Sequence, residues 1–205
     1  MSQDYWLLIA SGPSLTRADC DLLRGLCTTV AINDGIYFAP WADALYAGDA
    51  KWWAYHGPKI RWFRGERVSN EKYKGTRQFT GSGRFARFGG NSGHQAVQWA
   101  AINGAPGLAL LGFDQKHRKL GKDEHGRPVV QRHFHGDHPP ELGNAQNIDH
   151  WPRMMDRTAV DLKRMEIPVL NLTRDTALTC FERITVEAFI EQVGGVRVRA
   201  KSVRH

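Results

Sequence analysis

The chain has 205 residues, enough for one continuous core, and its 28 lysines and arginines against 21 aspartates and glutamates give a net charge of +7. That balance favours anionic ligands such as nucleotides, phosphates or nucleic acid. Cys20, Cys27 and Cys180 are odd in number and form no CxxC pair, which excludes a disulfide framework or a cysteine zinc site and points to a reducing cytoplasm.

Tyr5 to Ala10 is an apolar run too short for a signal sequence or a membrane span, so it is expected as a strand with no membrane partner. It breaks into Ser11-Gly12-Pro13-Ser14-Leu15, and Thr16 to Asp19 opens a helix with an acidic variant of the capping box. A strand, tight turn and helix make half a nucleotide-binding unit, in which Gly12 allows close approach and the hydroxyls of Ser11 and Ser14 can reach phosphate or ribose. Thr28 to Ile32 is a second strand ending in Asn33-Asp34-Gly35, and Ala44 to Ala47 a third, closed by Gly48-Asp49. Lys51 to His56 is a short helix whose aromatics belong to the core, and Lys59 to Phe63 reads as another strand.

Arg64 to Arg87 is basic, glycine-rich and interleaved with Tyr73, Phe79 and Phe85, a composition that suits a phosphodiester backbone or any soluble loop. Gly89 to Ala105 reads as a glycine turn and a helix, with Asn91 or Ser92 as N-cap, small residues Ala96, Val97, Ala100 and Ala101 on one face, and Gly104 as stop. Leu108 to Leu111 is the continuous apolar run of a strand covered on both faces. It delivers Asp114 to the carboxyl end of the sheet, where ligands gather, and Asn91, Ser92 and Gly93 offer helix N-terminal amides to an anion there. Gln115 to Ile148 shows no persistent periodicity and is expected as a lid loop of about 115–148. A helix from Asp149 to Glu166, a strand from Pro168 to Leu172 and a helix from Thr185 to Val193 complete the pattern. The expectation is an α/β fold: a Rossmann-like, doubly wound, mostly parallel sheet with helices on both faces. It forms a single domain over 1–195, with a basic tail at 196–205.

GPSL after the first strand, Asn33 after the second, NSG before the central helix, LLGFD after it, a histidine-bearing loop and Asn171 to Phe181 follow one another in a familiar order. In that order the chain resembles the bacterial sialyltransferases of the Campylobacter type and the related MptE-like proteins, and small phage proteins look similar. The landmarks span about residues 5–181. The resemblance implies a nucleotide-sugar or other nucleotide donor held by Ser11, Gly12, Pro13, Ser14, Asn33 and Ser92, to which position at strand and helix ends adds Asp49, Asn91 and Gly93. It implies proton transfer at His138; His135 and Asp114 are further catalytic candidates from their place in the loop and at the strand end. The acceptor is open between a small molecule or glycan and a nucleic acid. Where that family carries an asparagine before GPSL this chain has Ser11, and an arginine upstream of the matched serine falls at Gly89.

His133-Phe-His-Gly-Asp-His138 also matches the HxHxDH signature of metallo-β-lactamase-like hydrolases, in which such residues bind zinc. The alternatives are therefore a metal-dependent hydrolase using the His133, Asp137 and His138 loop, a divalent metal bound by His133, His135 and Asp137, or a nucleotide-binding module without chemistry.

Overall fold

The computed structural model describes residues 5–86, 88–145 and 147–202, with side chains through 194. Its strands and helices alternate as β1 (Trp6–Ile9), α1 (Arg17–Leu23), β2 (Thr28–Ile32), β3 (Ala44–Tyr46), α2 (Ala50–His56), β4 (Glu66–Ser69), β5 (Arg77–Gln78), α3 (Ser92–Ile102) and β6 (Leu108–Leu111). A hairpin of β7 (Arg118–Lys122) and β8 (Pro128–Gln131) follows, then α4 (Trp151–Arg164), β9 (Val169–Asn171), β10 (Glu182–Arg183) and α5 (Val186–Ser202). Eight strands form one sheet in the order β10-β9-β6-β1-β2-β3-β4-β5, and every pairing in it is parallel. This is the expected doubly wound, Rossmann-like α/β fold.

Alternation along the central strands explains the two layers of helices. Leu8, Val30 and Leu110 face α3 and α4, where the small residues Ala96, Val97 and Ala100 let the helix lie close to the sheet. Leu7, Ile9, Ala109 and Leu111 face the opposite way, against Cys20 and Leu23 of α1 and Phe189 of α5. Ala31 and Leu45 continue that second face and cover Trp52 and Trp53 of α2. Central strands buried on both sides must be apolar throughout, which is why β1, β2 and β6 were legible as runs.

Chain direction decides where a crevice opens. From β1 the chain winds outward through β2 to β5, then returns to place β6 on the other side of β1. The order reverses between β1 and β6, and a doubly wound sheet opens its ligand crevice at the carboxyl ends of such a pair.

Several elements differ from expectation. Lys59 to Phe63 is no strand: Gly57–Ile60 forms a 3-10 turn, because Pro58 has no N–H for a ladder and Ile60 and Phe63 enter the same core. The segment from Arg64 to Arg87 supplies β4 and β5 of the main sheet. Its aromatics are packed rather than arrayed: Phe85 is buried, Tyr73 stacks on Trp53, and Phe79 meets Phe88. Within Gln115 to Ile148 lies an antiparallel hairpin rather than a plain loop. Its strands are mostly exposed and their register shifts between Lys119 and Gly121, so no burial pattern marks them in the sequence. The last helix continues past Val193 to Ser202, while 203–205, with His205, lie outside the described residues. The open parallel sheet excludes the sandwich fold of the hydrolases carrying HxHxDH. Among the described residues, no helix is long and apolar enough to cross a membrane, and the three cysteines form no disulfide.

One buried ion pair ties the two ends of the domain together. Asp19 is fully buried in α1 and receives Arg174 Nε at 2.7 Å and Nη2 at 2.5 Å from the segment after β9. Burial alone would raise this carboxyl, but hydrogen bonds from Arg174 and Thr16 and the guanidinium charge hold it below its ordinary value. The pair's contribution is present above the unfolded value of 3.8 and is lost as pH falls through the lower folded one. Because Arg174 is half exposed and Thr16 still donates to Asp19, Arg174→Leu should cost about 1–2 kcal/mol at neutral pH. Urea unfolding at pH 7 measures that loss, and the difference from wild type should shrink in strong acid.

Candidate functional site

The crevice at the switch point is built around the turn after β1. Gly12 N donates to Gly112 O at 2.9 Å, drawing the turn onto the end of β6. A Cβ at Gly12 would lie 2.1 Å from Asp114 Oδ1, so the glycine is required by its approach to β6. Ser14 donates twice to Asp114, from its amide to Oδ2 at 2.8 Å and from its hydroxyl to Oδ1 at 2.8 Å. Both residues are buried. Ser14 and Asp114 thus lock the turn, and the Ser14 hydroxyl expected on a ligand is committed to Asp114.

Beside this turn is an open cleft of about 630 Å³ including its mouth. Ser11, Gly12, Pro13, Asn33, Asn91, Ser92, Gly93, Asp114 and His133 line it. Five segments distant in sequence therefore meet where the order reverses. Asn91 caps α3 by accepting from His94 N at 3.0 Å, and the Ser92 hydroxyl accepts from Gly48 N at 3.0 Å. Asn33 and Gln115, each just beyond a strand end, adopt left-handed φ of 49° and 51°. Such backbone is costly for residues other than glycine and gathers at functional sites. Both line the cleft.

Three cleft residues keep a buried side-chain polar atom with no hydrogen-bond partner in the protein: Asn33 Oδ1, Asn91 Nδ2 and Gln115 Oε1. Buried polar atoms are seldom left unsatisfied without a ligand, water or functional reason. Lys116, His117 and Arg132 line the same wall, with Lys116 Nζ paired to Asp175 at 2.5 Å and Arg132 to Asp137. None of these three stood out in the sequence, although Lys116 and His117 follow directly on the recognised LLGFD strand end.

The histidine loop is docked rather than free. Phe134 N donates to Ser11 O at 3.1 Å, its ring packs on Phe38 at 4.0 Å between centroids, and His133 Nδ1 lies 3.3 Å from Ser11 Oγ. The His133 ring stacks 5.3 Å from His135 and lies 4.1 Å from His138. Burial, then the neighbouring imidazoles, push His133 down to about 3, so it stays neutral.

Asp34 is the partner that sequence reasoning missed. His135 Nε2 lies 2.6 Å and His138 Nδ1 3.3 Å from Asp34 Oδ2. Trp52 Nε1 donates to the other oxygen at 2.9 Å, and His56 Nε2 stands 3.4 Å from it. Trp52 makes a hydrogen bond to Asp34, whereas His138 Nδ1 and His56 Nε2 have none. Burial would raise Asp34, but the contacts of His135 and His138 and the charge of His56 outweigh it and hold the carboxyl far below its usual range.

Of the described residues expected at the site, Ser14, Asp49, His135, Asp137 and His138 stand off the cleft lining. Asp49 is exposed at the start of α2 and makes no side-chain cap. Asp137 turns to Arg132, with both its oxygens 2.9 Å from Nη1. His138 lies behind His133. No family model, curated protein or solved structure matches the chain.

Asp114 gives the site a measurable pH signature. Burial raises its carboxyl to about 6 against the two Ser14 hydrogen bonds. A raised acid stabilises the fold fully below its unfolded value of 3.8 and loses that contribution as pH rises through about 6. Ionised Asp114 then costs about 3 kcal/mol. Asp114→Asn, which retains an acceptor for Ser14 N, should gain up to about that amount relative to wild type between about pH 4 and pH 7.5. Urea unfolding at the two pH values checks it; a constant difference would mean that the carboxyl is not raised.

Proposed function

We propose that the chain is a nucleotide-dependent group transferase of the glycosyltransferase kind, with a nucleotide-sugar or related donor in the switch-point cleft. The observation that carries this reading is the convergence of Asn33, Asn91 and Gln115, each with an unsatisfied buried polar atom, beside Lys116 and Arg132. Unsatisfied amide groups suit a base or sugar edge, and the cations with the first turn of α3 suit phosphate. The order of landmarks shared with the sialyltransferases supports the same donor class.

Transfer requires the attacking hydroxyl of the acceptor to give up a proton. Of the three histidines at 133–138, the one that borders the cleft, where His117 also stands, is His133, whose neutrality lets it accept a hydrogen bond from that hydroxyl. His138, expected in this role by resemblance, is one ring further away. The family's base is therefore reassigned here to His133, with His138 supporting it from behind.

Isothermal titration with CMP, UDP and GDP tests the donor site. At least one nucleotide should bind, and Lys116→Ala and Arg132→Ala should each weaken it by about 10- to 100-fold, as expected for lost charge-assisted hydrogen bonds. Release of free nucleotide from the matching nucleotide-sugar, measured with added hydroxyl acceptors, tests the chemistry. His133→Ala should leave nucleotide affinity intact and lower that release by about 100-fold or more. Unchanged affinity in both cation variants would exclude this cleft as the donor site.

A further inference from the structure

We propose that Asp34, His135 and His138 form a binding site for a divalent transition metal of the zinc class, set beside the cleft. One carboxylate oxygen and two imidazole nitrogens, all within 4.8 Å of one another, converge from two segments a hundred residues apart. They are Asp34 Oδ2, His135 Nε2 and His138 Nδ1. The set differs from the one the HxHxDH pattern suggests, because Asp137 is engaged by Arg132 and His133 Nδ1 faces Ser11.

One donor spacing already fits an ion and a second lies close to it. With ligand bonds of about 2.0–2.1 Å, tetrahedral donors sit about 3.3 Å apart. Asp34 Oδ2 and His138 Nδ1 are 3.3 Å apart already. His135 Nε2, at hydrogen-bonding distance of 2.6 Å, would draw back by about 0.7 Å to reach that spacing. Its side chain retains 26% of its exposure, so it has room to do so.

Two further observations point to a ligand rather than to a self-contained network. His138 Nδ1 is buried and unpartnered, although it lies beside a carboxylate oxygen. Asp34 is also oriented as a metal carboxylate is: the Trp52 indole holds Oδ1 at 2.9 Å and leaves Oδ2 turned to the imidazoles. Ligating carboxylates are commonly fixed in this way by an outer hydrogen bond. The backbone serves the same end, since Asn33 takes a left-handed φ of 49° and Gly35 would bring a Cβ within 2.5 Å of Ile9 O.

Two nitrogens and one oxygen favour zinc, cobalt or nickel over calcium or magnesium, which prefer oxygen alone. Three protein ligands leave one position open to water or a substrate oxygen, as in catalytic rather than closed structural sites. His133 lies against both ligand rings and also lines the cleft, so the metal would stand one imidazole away from a bound donor. This site does not depend on the nucleotide reading, because metal binding can be measured with no nucleotide present.

The test is titration of the full chain, freed of metal by chelator dialysis, with Zn²⁺ by calorimetry and with Co²⁺ by visible absorption. One ion per chain is expected, with the intense visible bands of four- or five-coordinate cobalt. Asp34→Asn, His135→Ala and His138→Ala should each weaken binding by at least about 100-fold, and Trp52→Phe by about 10-fold, the scale of a lost outer hydrogen bond. Asp137→Asn should bind as wild type does. Absence of stoichiometric binding, absence of those cobalt bands, or unchanged affinity in Asp34→Asn and His135→Ala would overturn the proposal. The wild-type cobalt spectrum decides the matter even where a variant fails to fold.

Discussion

The site depends on one close approach: the backbone of Gly12 against the end of β6. A side chain there would collide with Asp114 Oδ1 and Gly112 O, so only glycine lets the turn after β1 settle on the neighbouring strand. Once settled, Ser14 closes it with two hydrogen bonds to a carboxylate that burial would otherwise reject. The cost of burying Asp114 is offset only in part, although both its oxygens are used, and the carboxyl stays raised. This clamp holds the reversal point of the sheet in the shape of a cleft, and it fixes Ser11, to which the histidine loop is then tied.

Polar residues around that cleft divide by what they have already spent. Ser14 and Asp114 bond to each other, and Ser92 accepts from Gly48 N, so these groups hold the fold around the cleft. Asn33, Asn91 and Gln115 retain buried capacity that the protein does not fill. Residue types alone could not separate these groups, because serine and asparagine in a glycine turn serve equally as clamp and as ligand contact. Partner accounting in three dimensions makes the distinction.

The imidazole cluster shows the same economy. Asp34 holds His135 and His138, while His133 stands between them and the cleft. His94, by contrast, is a core residue: it is buried under α4, meets Thr158 Oγ1 at 2.9 Å and is pushed down to about 4 by burial. Burial disfavours the protonated form of His133 as it does that of His94, but only the loop sets its rings beside a carboxylate and an open cleft.

The sequence by itself determined the central strands, the cap of α3 and the doubly wound class, because residues buried on both faces must be apolar and helix ends need local donors and acceptors. It also marked Ser11 to Pro13, Asn33 and Asn91 to Gly93, since glycine-bearing polar turns after apolar strands stand out from their neighbours. The tertiary structure alone decided that Asp34, and not Asp137, meets the histidines, that Lys116 and Arg132 face the cleft, and that β5 and β10 extend the sheet. A two-residue edge strand buries too little to leave a pattern, and an exposed hairpin has no burial periodicity. Pairings such as Asp34 with His135 lie a hundred residues apart in the chain; they exist only because the sheet brings the end of β2 beside a loop pinned to the end of β1.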